Sequence, residues 1–299
     1  MPCYELSVVC APKDFAYLSE RLWGEPAFTS IMEDLIDEVP VGLRLYSQDI
    51  LIDAEAEQKA LAVWHDLVKV DPVLDRQACI LQGVRLVEDE EWAESWKRFW
   101  HPQEITPRLW VCPSWEPVAL THPEAVVLTL DPGSAFGTGT HATTRLMLEA
   151  LEELSDTQDL SNLSVLDVGT GSGILAIYAA KKGSRQVMAL DIDPLAEPAV
   201  KDNLALNHVA DAVTFTTTPL PELCHTRYDV VLVNIIAPVI LSLWDDILLR
   251  VEPNGWLYFS GLIDTSVSMI QEALTKSGWT HQAIKQQGDW FAVHARKAL

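Results

Sequence analysis

Asp167-Val-Gly169-Thr-Gly171-Ser-Gly173 is the stretch that decides the fold. It stands between an apolar strand candidate, Val165–Val168, and a helix candidate, Ile174–Lys182, which ends at Gly183, a residue suited to a helix C-terminus. Glycines at this spacing let the backbone turn tightly and let a ligand approach with no Cβ in the way. The next apolar strand, Val187–Leu190, ends on Asp191, 22 residues beyond Gly169. A carboxylate there can accept both hydroxyl hydrogens of a ribose. Strand, glycine loop, helix, strand and acid in this order point to a nucleoside-containing cofactor. The spacing is G-x-G-x-G rather than the G-x-G-x-x-G that meets a pyrophosphate. Asp167 precedes the loop, and its carboxylate suits a cationic methionine-type ligand. The alternative role for Asp167 is to brace local amides.

Outward from this loop, strands and helices alternate regularly from about residue 125. Helix Leu195–Asn207, strand Val213–Thr216, strand Asp229–Val233 and helix Val239–Val251 follow. The turn Pro253-Asn254-Gly255 leads to strand Trp256–Ser260 and helix Asp264–Ser277. Trp279–Lys285 and Phe291–Arg296 form a closing hairpin around Gly288-Asp289. The pattern is a doubly wound α/β sheet with an antiparallel end. Ligands in such sheets sit outside the carboxyl ends of the strands. Asn234 ends the strand Asp229–Val233 and offers both a donor and an acceptor there; its alternative is to cap the next helix. The segment Asp131–Thr144, DPGSAFGTGTHATT, is rich in glycine and threonine and reads as a flap over the cofactor. Thr143 or Thr144 is placed to cap helix Arg145–Leu154. His141 is a proton-acceptor candidate, with loop bracing the favoured role.

The first region, residues 1–87, has the order β-α-β-β-α-β of a small ferredoxin-like α+β domain. Its elements are strand Tyr4–Cys10, helix Asp14–Trp23, strands Ala27–Met32 and Val41–Tyr46, helix Ala54–Val70 and strand Ala78–Val87. The acidic Glu33–Glu38 separates the middle strands. Residues 88–124 form a Trp-rich linker. Trp92, Trp96 and Trp100 share one face of a helix within Glu88–Glu104, which favours packing between domains over a ligand platform. Residues 125–299 form the cofactor-binding catalytic domain.

The chain has 299 residues and a formal charge of −22. An acidic protein is a poor holder of nucleic-acid backbone, whose phosphates need a basic face. A cationic partner or a small ligand fits better. The first 100 residues carry 9 basic and 20 acidic side chains, so that region is about twice as acidic per residue as the rest. Cys3, Cys10, Cys79, Cys112 and Cys224 are scattered and never in CxxC spacing, which predicts no metal site and a reduced, cytoplasmic protein. No signal peptide and no membrane span is expected, since the most apolar stretch, Val230–Trp244, is short and interrupted by Asn234 and Pro238.

DPGSAFGTGTHATT, LDVGTGSGILAI, ALDIDPLA and VVLVNIIAPVI, in this order, closely resemble the ribosomal protein L eleven methyltransferases. RLWVCPSW at 108–115 and GDWFAVHARK at 288–297 are similar to that family as well. Two departures are small: Ala142 stands where the family commonly has Pro, and a glycine loop reads Gly-Thr-Gly where many members have Gly-Cys-Gly. The resemblance covers the whole chain and implies a class I S-adenosylmethionine-dependent protein methyltransferase. It implies cofactor contacts at Thr144, Gly169, Gly171, Asp191 and Asn234. Phe136 and Thr138 are expected near the methionine end and the adenosine, and Asn234 is expected to face the transferred methyl and the incoming amine. The implied substrate is a basic ribosomal protein of the large subunit, methylated on lysine side chains and the N-terminal α-amine. A monomer with no direct nucleic-acid binding is expected.

Three other readings compete. A non-catalytic binding module that uses the acidic N-terminal domain on ribosomal protein is opposed by the intact cofactor motifs. A glutamine or adenine amino-group methyltransferase would carry a motif like Asn-Pro-Pro-Tyr at the strand end, where this chain has Asn234-Ile-Ile-Ala, with no aromatic to stack a flipped base. A nicotinamide-dependent oxidoreductase is opposed by the glycine spacing and by Asn234.

Overall fold

A computed structural model describes residues 3–9, 18, 30–36, 39–47, 58, 62, 64–66, 80–87, 100–120, 122–131, 141–194, 196–279 and 281–296. The chain divides into two compact units, Met1–Trp100 and His101–Leu299.

The first unit is built on an antiparallel sheet of β1 (Cys3–Val9), β2 (Ser30–Ile36), β3 (Val39–Ser47) and β4 (Ile80–Val87). Their order is β2-β3-β1-β4. Leu6 and Val8 of β1 are buried, as period-two alternation requires. The acidic Glu33–Glu38, expected between strands, instead lies largely within β2. β2 is an edge strand, where acidic residues are tolerated and discourage further pairing. Of the two helices expected here, Leu18, Gln58, Ala62 and Trp64–Asp66 are described and helical. The remainder of both helices, and the linker helix with Trp92 and Trp96, lie outside the described residues. That helix does not extend to Glu104, because Gln103–Thr106 is a strand.

In the second unit, β5 (Gln103–Thr106), β6 (Leu109–Cys112) and β7 (Val126–Thr129) form a small three-stranded sheet, with β6 parallel to β7. Residues 103–112 were expected in the linker, but their pairing with 126–129 places them in this unit. These strands are recognised by their pairing rather than by a sequence period.

The large sheet holds seven strands. They are β8 (Ser164–Val168), β9 (Gln186–Leu190), β10 (Val213–Thr216), β11 (Tyr228–Asn234), β12 (Val251–Ile263), β13 (His281–Gln287) and β14 (Trp290–Arg296). Their order is β10-β9-β8-β11-β12-β14-β13. All neighbours are parallel except the pairs that involve β14. The helices are α1 (Ala142–Thr157), α2 (Ile174–Lys181), α3 (Ala196–Leu206), α4 (Ala237–Ser242), α5 (Trp244–Leu249) and α6 (Asp264–Lys276). Central parallel strands are covered on both faces, so Val230, Val231, Leu232 and Val233 are all buried in sequence.

One long helix was expected over Val239–Val251. The structure has α4 and α5, and Val251 already belongs to β12, where it pairs with Tyr228. Arg250, at the end of α5, turns inward and is wholly buried. Its guanidinium donates to the carbonyls of Leu220 and Leu223, each at 2.8 Å, and Nη1 lies 2.9 Å from His225 Nδ1. A buried cation needs such acceptors. The expected turn Pro253-Asn254-Gly255 is an excursion inside β12: Tyr228 pairs with Val251, but Val230 pairs with Trp256.

Gly261 makes a second irregularity in β12, where the register with β14 shifts between Phe259 and Leu262. It adopts φ +81°, and a Cβ there would lie 2.5 Å from the Ile235 carbonyl oxygen. β12 therefore presses its backbone directly onto the residue after Asn234. Gly261→Ala is expected to lower the unfolding free energy by about 2–4 kcal/mol, from the left-handed backbone and the clash together. Urea denaturation checks this, and an unchanged midpoint would refute the close packing.

Candidate active site

Three of the expected site residues follow one registered row of the sheet. Val168 pairs with Leu190 on one side and with Val233 on the other. Gly169, Asp191 and Asn234 are the next residues of those same three strands. The chain order reverses between β8 and β11, so the row opens at the topological switch point, where doubly wound sheets bind ligands. The backbone amides of Gly169 and Thr170 both donate to the Leu190 carbonyl, at 2.8 and 2.9 Å. The glycine loop is thereby tied to the strand that delivers Asp191.

Gly169, Gly171 and Gly173 all have positive φ. Gly173 caps α2, so the loop feeds directly into a helix N-terminus. A Cβ on Gly169 would fall 2.5 Å from Ile235 Cγ2. Ile235 is thus held between Gly169 on one side and the Gly261 backbone on the other, and Asn234 is fixed by its neighbour.

Asn234 is 7% exposed. Its Nδ2 lies 3.5 Å from Thr144 Oγ1, while its Oδ1 is buried with no hydrogen-bond partner among the described residues. Its alternative role as a helix cap fails, because Ile236 is the N-cap of α4 and no side chain caps it. The Thr144 contact orients the amide with its oxygen available.

Thr144 does not start a helix, as expected, but lies within the first turn of α1. The N-cap is His141, whose Nδ1 accepts from the Thr143 amide at 3.2 Å and lies 2.7 Å from Thr143 Oγ1. An imidazole nitrogen can take the acceptor role that threonine was expected to fill. His141 also meets the Trp290 ring edge-on at 4.6 Å, which fits the bracing role. Phe136, Thr138 and the rest of 132–140 lie outside the described residues.

Asp191 Oδ2 accepts from the Gly171 amide at 2.8 Å, and Oδ1 accepts from the Asp193 amide at 3.0 Å. Each oxygen keeps a lone pair for a further donor. Burial raises its pKa above the ordinary carboxylate value; the two amides oppose this, and the Asp193 charge adds to it. Asp167 is wholly buried at the end of β8. Thr170 Oγ1 donates to its Oδ2 at 2.5 Å, while Oδ1 has no hydrogen-bond partner among the described residues. Burial pushes its pKa up to about 7, against the hydrogen bonds from Thr170 and the Ala176 amide. Among the described residues no group of three or more His, Cys, Asp or Glu could hold a metal ion.

Sequence reasoning missed Gly261 and Ile235. The only local trace of Gly261 is a glycine inside an apolar strand, a known sign of close backbone approach.

Between about pH 4 and pH 7 the folded chain keeps a proton on Asp167 that the unfolded chain has released. Stability therefore falls as pH rises through that window. Asp167→Asn is expected to flatten this part of the stability profile measured by thermal unfolding. An unaltered slope would show that Asp167 does not titrate there.

Comparison with known proteins agrees with this arrangement. The family model described as "Ribosomal protein L11 methyltransferase (PrmA)" matches residues 5–298. The ribosomal protein L11 methyltransferase of Pelobacter propionicus is 34% identical over 314 residues, covering 98% of this chain and 97% of its own. That of Listeria welshimeri serovar 6b is 39% identical over 214 residues, covering 71% of this chain and 67% of its own. The crystal structure of a ribosomal protein L11 methylase from Lactobacillus delbrueckii subsp. bulgaricus aligns with a TM-score of 0.61 at 30% identity, covering 67% of this chain and 100% of that one. The strand row, the glycine loop and these matches together place the chain in the ribosomal protein L11 methyltransferase family, whose cofactor is S-adenosylmethionine.

Proposed function

We propose that the chain transfers methyl groups from S-adenosylmethionine to amino groups of ribosomal protein L11, on lysine side chains and the N-terminal α-amine. The observation that carries this reading is the buried Asn234 amide, oriented through Thr144 with its oxygen unpartnered. An acceptor oxygen at that point can take a hydrogen from an incoming amine and aim the nitrogen lone pair.

The residues present fit the cofactor. The glycine loop leaves room for close approach, Asp191 has lone pairs for the ribose hydroxyls, and Asp167 Oδ1, without a partner among the described residues, is a further polar atom beside the loop. The bound cofactor supplies a methyl group already activated on a positively charged sulfur. The chain's own task is to position the amine in line, exclude water and favour the neutral amine, since a free lysine has a pKa of about 10.4. Thr144 and Asn234 hold that end of the site, and Asp191, Gly169 and Gly171 hold the other. By the family resemblance, Phe136 and Thr138 are further proposed cofactor contacts.

Residues 1–87 serve as a ferredoxin-like substrate domain, and the catalytic domain, expected from residue 125, also includes the strands of 103–112. Support comes from the charge: the first 100 residues hold 20 of the 43 acidic side chains, and ribosomal proteins are basic. Attraction of this kind steers encounter more than it adds affinity.

Labelled S-adenosylmethionine, purified L11 and this protein test the reading. The label is expected on L11 amines, and its absence would refute the proposal. Asn234→Ala is expected to lose about 10²–10³ in turnover, the scale of one oriented polar group in a dry site, with normal folding. Near wild-type turnover would remove Asn234 from the chemistry. Association with L11 is expected to slow as salt rises. A rate indifferent to salt would reduce the acidity to a solubility feature.

A further inference from the structure

Two asparagines at the C-terminal end of α3 form a buried polar ladder with no role in the site as described so far. Asn203 and Asn207 are four residues apart, so they share one helical face, and they are 2% and 3% exposed. A buried amide in a helix is costly unless its hydrogen bonds are satisfied, and here they are satisfied by backbone.

Asn207 sits beside the end of β7. Its Oδ1 accepts from the Thr129 amide at 2.9 Å, and its Nδ2 donates to the Thr129 carbonyl at 2.6 Å and to the Asn203 carbonyl at 2.8 Å. It acts as a one-residue strand partner that fixes where β7 ends. Asn203 reaches in two directions. Its Oδ1 accepts from the Asp131 amide at 3.3 Å, and its Nδ2 donates to the Ser172 carbonyl at 3.0 Å.

Asp131 opens the Gly- and Thr-rich segment 131–144, and Ser172 lies in the glycine loop. Asp131 is also held from its other side: its carboxylate accepts from the Ser114 amide at 2.9 Å and from Ser114 Oγ at 2.7 Å. One amide side chain therefore joins the start of one site segment to the backbone of another, 41 residues away in sequence.

We propose that Asn203 is a positioning residue of the methyltransferase site, which couples the start of the 131–144 segment to the cofactor loop through the Asp131 amide and the Ser172 carbonyl. The inference rests on the reading of 169–173 as the cofactor loop. It adds that affinity for the cofactor depends on a side chain that touches no cofactor. If the ligand fixes the glycine loop, the fixed Ser172 carbonyl holds the Asn203 amide, and the amide holds Asp131. By reciprocity, loss of that link weakens ligand binding.

The test uses the full chain and S-adenosylhomocysteine as the probe. Asn203→Asp keeps the acceptor facing Asp131 but replaces the donor to Ser172 with an oxygen. It is expected to weaken binding by calorimetry about tenfold and to raise the KM for S-adenosylmethionine by a like factor, with kcat at saturation little changed. Asn203→Ala removes both links and is expected to show the same split. A merely structural role would lower the melting temperature and leave affinity and KM untouched, and that result would overturn the proposal.

Should both variants fail to fold, amide exchange in the unaltered chain decides. The Thr129 and Asp131 amides are expected to exchange more slowly when S-adenosylhomocysteine binds. Unchanged exchange on binding would overturn the coupling. Failure of the unaltered chain to bind the probe at all would overturn the cofactor-loop reading beneath it, and the two failures are thereby distinct.

Discussion

The register of four parallel strands is the constraint on which the site depends. Leu190, Val168, Val233 and Phe259 lie in one row, and Asp191, Gly169, Asn234 and Ser260 in the next. Neighbouring strands are held about 4.8 Å apart by their hydrogen bonds, so the row spaces these residues before any side chain contributes. A slip of one residue in β11 would turn Asn234 to the other face.

Above that row the structure relies on the absence of side chains. Gly169 and Gly261 both press on Ile235, one against its side chain and one against its carbonyl. Neither glycine can be replaced without moving Ile235, and Ile235 cannot move without moving Asn234. The polar groups of the site are then set by this packing. Thr144 orients the Asn234 amide, and the Gly171 and Asp193 amides orient Asp191.

Much of this was legible in the sequence, because the signals are local. The glycine loop, the acid after β9 and the asparagine after β11 each follow an apolar run long enough to read, and the strand ends fell within one or two residues. What escaped is non-local. Arg250, the residue after α5, is buried against the carbonyls of Leu220 and Leu223, and nothing near residue 250 announces them. β5 and β6 are strands through their pairing with each other and of β6 with β7. His141 looks like chemistry in a glycine-rich segment, yet it caps a helix, since imidazole and hydroxyl compete for the same position. Asn203 and Asn207 read as ordinary polar residues of a helix until their backbone partners, more than thirty or seventy positions away, are known.

The order β12-β14-β13 also has a consequence for how the chain reaches this state. β13 pairs only with β14, while β14 pairs with both β12 and β13. During vectorial synthesis β12 therefore waits with an open edge, and β13 has no place in the sheet until residues 290–296 have emerged. β12 carries Gly261, so the last-arriving strand braces the element that presses on Ile235. The candidate site lies within residues 141–261, yet the strand that braces β12 follows it in the chain. β13 and β14 are joined by a two-residue turn and can dock on β12 as one hairpin; until then that edge of the sheet stays open to other partners.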